Sequence, residues 1–116
     1  MKLLFILRQT PYGNLLAKES LDAVLASSVF EPELSILFMD DGVLQLTNTQ
    51  SPPPGQQKNL QKMIAAFALY DIDRVFVCEQ SLRKRGLSHQ HISMGTMINN
   101  EKILQLMAEQ DHLFSF

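Results

Sequence analysis

The sequence predicts an α/β protein of three layers: a doubly wound, mainly parallel sheet of about five strands with helices on both faces. Two observations carry that prediction. Short, nearly unbroken apolar runs alternate along the chain with stretches whose apolar residues recur at three- and four-residue spacing. The resulting order, β-α-β-α-β-α-(β)-α-β, suits a parallel sheet, in which each return to the same strand direction needs a crossover. The runs are also apolar at successive rather than alternate positions, as in strands covered on both faces. With 116 residues, one domain over residues 1–116 is expected, since domains most often hold about 100–150 residues.

Each element follows from its local pattern. Lys2 to Arg8 reads as a buried strand that opens into a loop at Gln9-Thr10-Pro11-Tyr12-Gly13. Ala17, Leu21, Val24 and Leu25 then mark one face of a helix between Asn14 and Ser28. Leu34–Met39 is a second strand, stopped by Asp40-Asp41-Gly42, where glycine is expected to supply backbone angles other residues avoid. Val43–Thr47 is too short to classify by period, and Asn48–Gly55, with Ser51-Pro52-Pro53-Pro54-Gly55, reads as an exposed loop. Leu60, Met63, Ile64, Phe67 and Ala68 form the clearest amphipathic stripe, closing at Leu69-Tyr70-Asp71 before a third strand at Arg74–Cys78.

Glu79–Arg85 predicts a short helix ended by Gly86, with Arg83, Lys84 and Arg85 near the negative end of its dipole. Ile92–Gly95 is the expected place of a short fourth strand. Asn100 is the expected N-cap of a last helix carrying Ile103, Leu104, Met107 and Ala108, followed by a terminal strand at His112–Phe116.

Composition narrows the function. Ten Lys and Arg against twelve Asp and Glu leave a net charge of −2, without the basic footprint of a protein that binds nucleic acid directly. The longest apolar runs, Leu3–Leu7 and Leu34–Met39, fall far short of the roughly 20 residues that span a bilayer, and no small-residue cleavage site follows the first. A single cysteine cannot make an internal disulfide, so a soluble, cytoplasmic protein is expected.

In doubly wound sheets, reactive groups gather outside the carboxyl ends of the strands. Three segments qualify: Gln9–Gly13, Asp40–Gly42 and Cys78–Glu79. Cys78 is the one residue with nucleophilic potential, ending a strand just before a helix whose free N–H groups favour a thiolate. Glu79 opposes that effect unless Arg83 folds back to offset it, and a cysteine after Val75-Phe76-Val77 is equally placed to be a buried, inert one. No phosphate-binding glycine motif occurs, which disfavours a nucleotide or flavin module at the strand ends. His89 and His91 lack the spacing of a zinc site with Cys78 and read as surface residues; no metal or cofactor is expected. Asp40 with Asp41, and Asp71 with Asp73, fit turn chemistry better than a cation site or a base. Phe30, Tyr70, Phe114 and Phe116 are candidates for an interaction surface, unless they complete the core.

Five motifs in order then carry a resemblance. Thr10-Pro11-Tyr12-Gly13 with Glu19-Ser20-Leu21-Asp22-Ala23, Asp41-Gly42-Val43 with Gln45-Leu46, Leu69-Tyr70-Asp71-Ile72, Val77-Cys78, and Ser81-Leu82-Arg83-Lys84-Arg85-Gly86-Leu87 together resemble the TusC/DsrF family over essentially the whole chain. The resemblance implies a DsrE-like fold. It also implies a cytoplasmic subunit that joins TusB-like and TusD-like partners in a heterohexamer, a dimer of trimers. Such a complex passes persulfide sulfur from a TusA-like donor to a TusE-like acceptor for 2-thiolation of the wobble uridine of tRNA. In the family the sulfur-carrying cysteine belongs to the D subunit, so a structural role is implied here, with Cys78 as a carrier candidate at the comparable strand end. The alternatives are an independent thiol sulfurtransferase acting through Cys78, and a DsrEFH-type subunit in sulfur oxidation.

Overall fold

The computed structural model describes residues 1–11, 15–47 and 57–116, with side chains omitted for 57–60. The expected loop at Asn48–Gly55 lies outside the described residues, as do Tyr12 and Gly13 of the Thr10–Gly13 motif. The apolar runs become strands β1 (Leu3–Leu7), β2 (Leu34–Phe38) and β3 (Val75–Cys78), joined by two shorter ones, β4 (Thr96–Ile98) and β5 (His112–Ser115). The helices are α1 (Leu16–Ser28), α2 (Gln57–Ala65), α3 (Glu79–Lys84) and α4 (Asn100–Ala108). Among the described residues, three 3-10 segments supplement them, at Asp40–Leu46, Ala66–Tyr70 and His89–His91.

All strand pairs are parallel, in the order β4-β3-β2-β1-β5. From β1 the chain steps outward through β2 and β3 to β4, then returns to the other side of β1. Because such crossovers keep one hand, reversing direction changes the face on which the connecting helix lies. Leu3, Phe5 and Leu7 accordingly pack with Leu21, Val24, Ile64, Phe67 and Leu82, from α1, α2, the 3-10 segment after it and α3. Leu4 and Ile6 face the opposite way and meet Ile103 and Leu106 of α4. Every residue of β1 and β2 is therefore buried, which is why their sequences are apolar without alternation.

Among the described residues α4 is the helix that packs on that face, and all four residues of β5 are exposed. Besides its backbone pairing with β1, β5 is held by aromatic contacts: the ring of buried Phe5 stacks on Phe114 at 5.2 Å and on Phe116 at 6.0 Å. Among the described residues, no helix is long and apolar enough to cross a membrane.

Five expectations need correction. In α4, Leu104 and Ala108 are exposed, and Leu106 joins Ile103 on the buried face. The fourth strand is Thr96–Ile98 rather than Ile92–Gly95. Ile92 instead makes an isolated antiparallel bridge to Thr47. Gly95, at φ 100°, turns the chain so close to β3 that a Cβ there would lie 2.7 Å from Val77 Cγ2. The N-cap of α4 is Asn99, whose Oδ1 accepts from the Lys102 N–H at 2.9 Å. Asn100 is already helical, and its side chain donates to Gln80 Oε1. At the end of β2 the left-handed residue is Asp40, at φ 52°, and not Gly42. Aspartate is among the few residues that tolerate that region. Finally, Ala68 is exposed although it continues the stripe of α2. The last turn tightens to a 3-10 helix of about three residues per turn, which rotates Ala68 away while keeping Phe67 in the core.

Candidate functional site

The carboxyl ends of β1, β2 and β3 converge on one end of the sheet, and polar side chains tie them together. Beyond β1, the Arg8 Nε donates to Asp40 Oδ2 at 2.7 Å. Beyond β2, the Asp40 N–H donates to Ser81 Oγ at 2.9 Å, linking the 3-10 segment to α3. Beyond β3, Arg85 donates through Nε and an NH2 group to Asp41 Oδ1, at 3.2 and 2.8 Å, and through its other nitrogen to the Ser81 carbonyl at 3.0 Å. Both aspartates of the turn are thus paired with arginines, and neither is left as a free base or as half of a cation site.

Close backbone packing fixes this arrangement. Gly42 is buried, and a Cβ at its position would lie 1.9 Å from the Leu7 carbonyl oxygen. The 3-10 segment can therefore lie against the end of β1 only with glycine there. Gln45, one turn further, donates from Nε2 to the Gln9 carbonyl at 2.9 Å.

Cys78 is the last residue of β3 and is only 3% exposed. It pairs in register with Ile98 and packs among Leu37, Ile98 and the apolar residues of α4. Its side chain caps no helix N–H. Arg83 does fold back, pairing with Glu79 one turn earlier, so the carboxylate beside the thiol is neutralised within α3. The thiol thus stands at a strand end, as the sequence suggests, but beneath the surface. A donor persulfide would reach it only if the α4 layer or the start of α3 moved.

His89 and His91 fall in the short 3-10 segment after α3. The His91 Nδ1 accepts from the Ser88 N–H at 3.0 Å, so its ring caps a turn. Among the described residues, no three His, Cys, Asp or Glu side chains are grouped to hold a metal. Sequence reasoning missed Arg8, Ser81 and the bridging use of Arg85. Their partners lie 32, 41 and 44 residues away along the chain, beyond the reach of any local pattern.

The fold and the strand-end site are those of a small, doubly wound α/β domain with a parallel sheet. The sequence profile of the DsrE/DsrF-like family matches residues 1–116, and the chain belongs to that family. It is 35% identical over 119 residues to a TusC homolog of Haemophilus influenzae, with all of both chains covered. It is 33% identical to a TusC homolog of Vibrio parahaemolyticus, over 99% of this chain and 98% of that one. A TusC homolog of Pseudomonas aeruginosa shares 36% identity over 89% of this chain and 87% of its own. The fold matches the crystal structure of the ychN protein from E. coli with a TM-score of 0.81, at 24% identity, covering 99% of this chain and 98% of that one.

Proposed function

We propose that this chain is a subunit of a cytoplasmic TusBCD-type sulfur-relay complex and acts as a structural partner of the sulfur-carrying D-like subunit. End-to-end similarity to proteins called TusC homologs carries the reading. In the proposed complex, TusB-like, TusC-like and TusD-like chains form a dimer of trimers. Persulfide sulfur passes from a TusA-like donor to a TusE-like acceptor and on to the wobble uridine of tRNA. At each transfer between proteins an acceptor thiolate attacks the outer sulfur of the donor persulfide. The S–S bond breaks, the donor leaves as a thiolate, and the acceptor holds the sulfur as Cys–S–SH.

Two features support a structural part in that sequence. Cys78 is buried among apolar side chains, whereas exchange rates depend on access to the attacking thiolate. The surface also carries exposed apolar side chains. Phe30 is 81% exposed and Leu69 84%, with Tyr70, Phe114 and Phe116 also exposed. Groups of that kind mark subunit interfaces. The single cysteine is in keeping with a reducing compartment.

Co-expression with TusB-like and TusD-like subunits tests the proposal. The purified complex is exposed to a persulfidated TusA-like donor, and each subunit is weighed by intact mass spectrometry. The expected result is one added sulfur atom on the D-like subunit and none here, with Cys78→Ser leaving assembly and transfer unchanged. Sulfur on this chain that disappears in Cys78→Ser would overturn the structural role and make it a carrier. A chain that stays monomeric beside those partners would overturn membership in the complex.

A further inference from the structure

Cys78 packs with Ile103 in the first turn of α4 and directly precedes α3, and the two helices are held in different ways. Helix α3 is moored to the Asp40–Leu46 segment. Ser81 Oγ accepts from the Asp40 N–H at 2.9 Å, and Arg85, just past the end of α3, bonds both Asp41 Oδ1 and the Ser81 carbonyl. Helix α4 has no such mooring at its start. Its first three residues, Asn100, Glu101 and Lys102, are exposed, and Ile103 is the first to bury a side chain.

One bond bridges the two helices: the Asn100 Nδ2 donates to Gln80 Oε1 at 2.6 Å. Cys78 and Ile98 are partners in the parallel ladder. Gln80 and Asn100 each stand two residues further along, so their bond closes the end of the β3–β4 pair that carries the thiol. Among the described residues, no other side-chain hydrogen bond or ion pair joins α3 to α4. Helix ends fray, and local opening needs less free energy than global unfolding. A bond across the gap therefore bears directly on how often the first turn of α4 lifts.

We propose that the Gln80–Asn100 bond is a latch: while it is made, the first turn of α4 stays down over Cys78, and its release lets that turn lift and uncover the thiol without unfolding the sheet. The latch acts on access alone, so the inference is independent of whether Cys78 carries sulfur.

Two readouts on the full-length protein test the latch. One is the rate at which iodoacetamide alkylates Cys78; the other is native-state exchange of the Ile103 amide, which donates to the Asn99 carbonyl at 3.0 Å. When opening is brief, both rates scale with the fraction of molecules open. Gln80→Ala and Asn100→Ala are each expected to raise both rates about fivefold, the worth of one net hydrogen bond. Both residues are exposed and uncharged, so neither change empties the core or alters the charge beside the thiol. The double variant should go no further than either single one, because the same bond is lost. Ile36→Val, on the other face of the sheet, lowers global stability by a similar amount and should leave both rates as they were. Unchanged rates in the single variants, multiplied effects in the double variant, an Ile103 amide that does not follow the thiol, or equal acceleration in Ile36→Val would each overturn the proposal.

Discussion

Phe38→Ala is expected to cost about 3–5 kcal/mol of stability, the usual range for deleting a buried phenylalanine ring. Phe38 ends β2, a strand with parallel neighbours on both sides, and its side chain is fully buried. It belongs to the larger of the two apolar clusters, beneath α1 and α2. Strands pinned on both sides cannot close around the vacated volume, so both the lost burial and the remaining cavity count. Domains are commonly stable by only about 5–15 kcal/mol, so the variant should be marginal. Urea unfolding measures the effect, with Leu69→Ala, at an exposed position, as the control expected to change little. A Phe38→Ala loss no larger than that control would contradict the described packing.

Gly42→Ala should destabilise by an amount at the upper end of the roughly 1–3 kcal/mol typical of overpacking. The added methyl would lie 1.9 Å from the Leu7 carbonyl oxygen and 2.7 Å from its carbon. Both are backbone atoms of a strand held on each side, so the 3-10 segment must retreat. Retreat pulls Asp40 from Arg8 and from the Ser81 hydroxyl, loosening the end of the sheet above Cys78. A fall in Tm of roughly 10–20 °C is expected for a chain of this size. A Tm within about 2 °C of the unmodified protein would show that the close approach is absent.

Elements whose burial is set by the sheet itself were legible in the sequence. The first three strands are covered on both faces, so their composition alone marks them, and α1 carries a stripe that matches its buried face, whereas in α4 Leu104 and Ala108 are exposed and Leu106 is buried beside Ile103. Strand β4 was misplaced for the opposite reason. It is three residues long and only Ile98 is buried, which leaves no run to detect. At Asn99 and Asn100, two adjacent side chains have the chemistry of a cap, and only the course of the chain out of β4 selects the first. At Asp40-Asp41-Gly42 the turn was evident, but the reason for its glycine was not. That reason is a carbonyl 35 residues earlier, at Leu7. The position of Cys78 at a strand end could be read locally. Its depth and the ion pairs around it depend on elements that only the fold brings together. Gln45 could be noted only as part of a motif, because it sits in a segment too short to show a period and its bond to the Gln9 carbonyl joins residues 36 positions apart.

The strand order has a consequence for how the protein folds. Strands β1 to β4 each join a neighbour through one crossover, whereas β5 must find β1. That closure also brings the backbone N–H of Lys2 to the carboxylate of Asp111, 109 positions away. Long closures carry an entropic cost before any contact offsets it, and contacts of this separation slow folding. We expect native-state hydrogen exchange to resolve the amides of β5 as a separate cooperative unit, opening at lower free energy than those shared by β1 and β2. Coincident opening of all five strands would rule this out. Until β5 docks, the outer edge of β1 is an unpaired strand on a nearly finished sheet, the kind of template on which chains misassociate. Correct folding therefore depends on the last four-residue strand arriving before a stranger does.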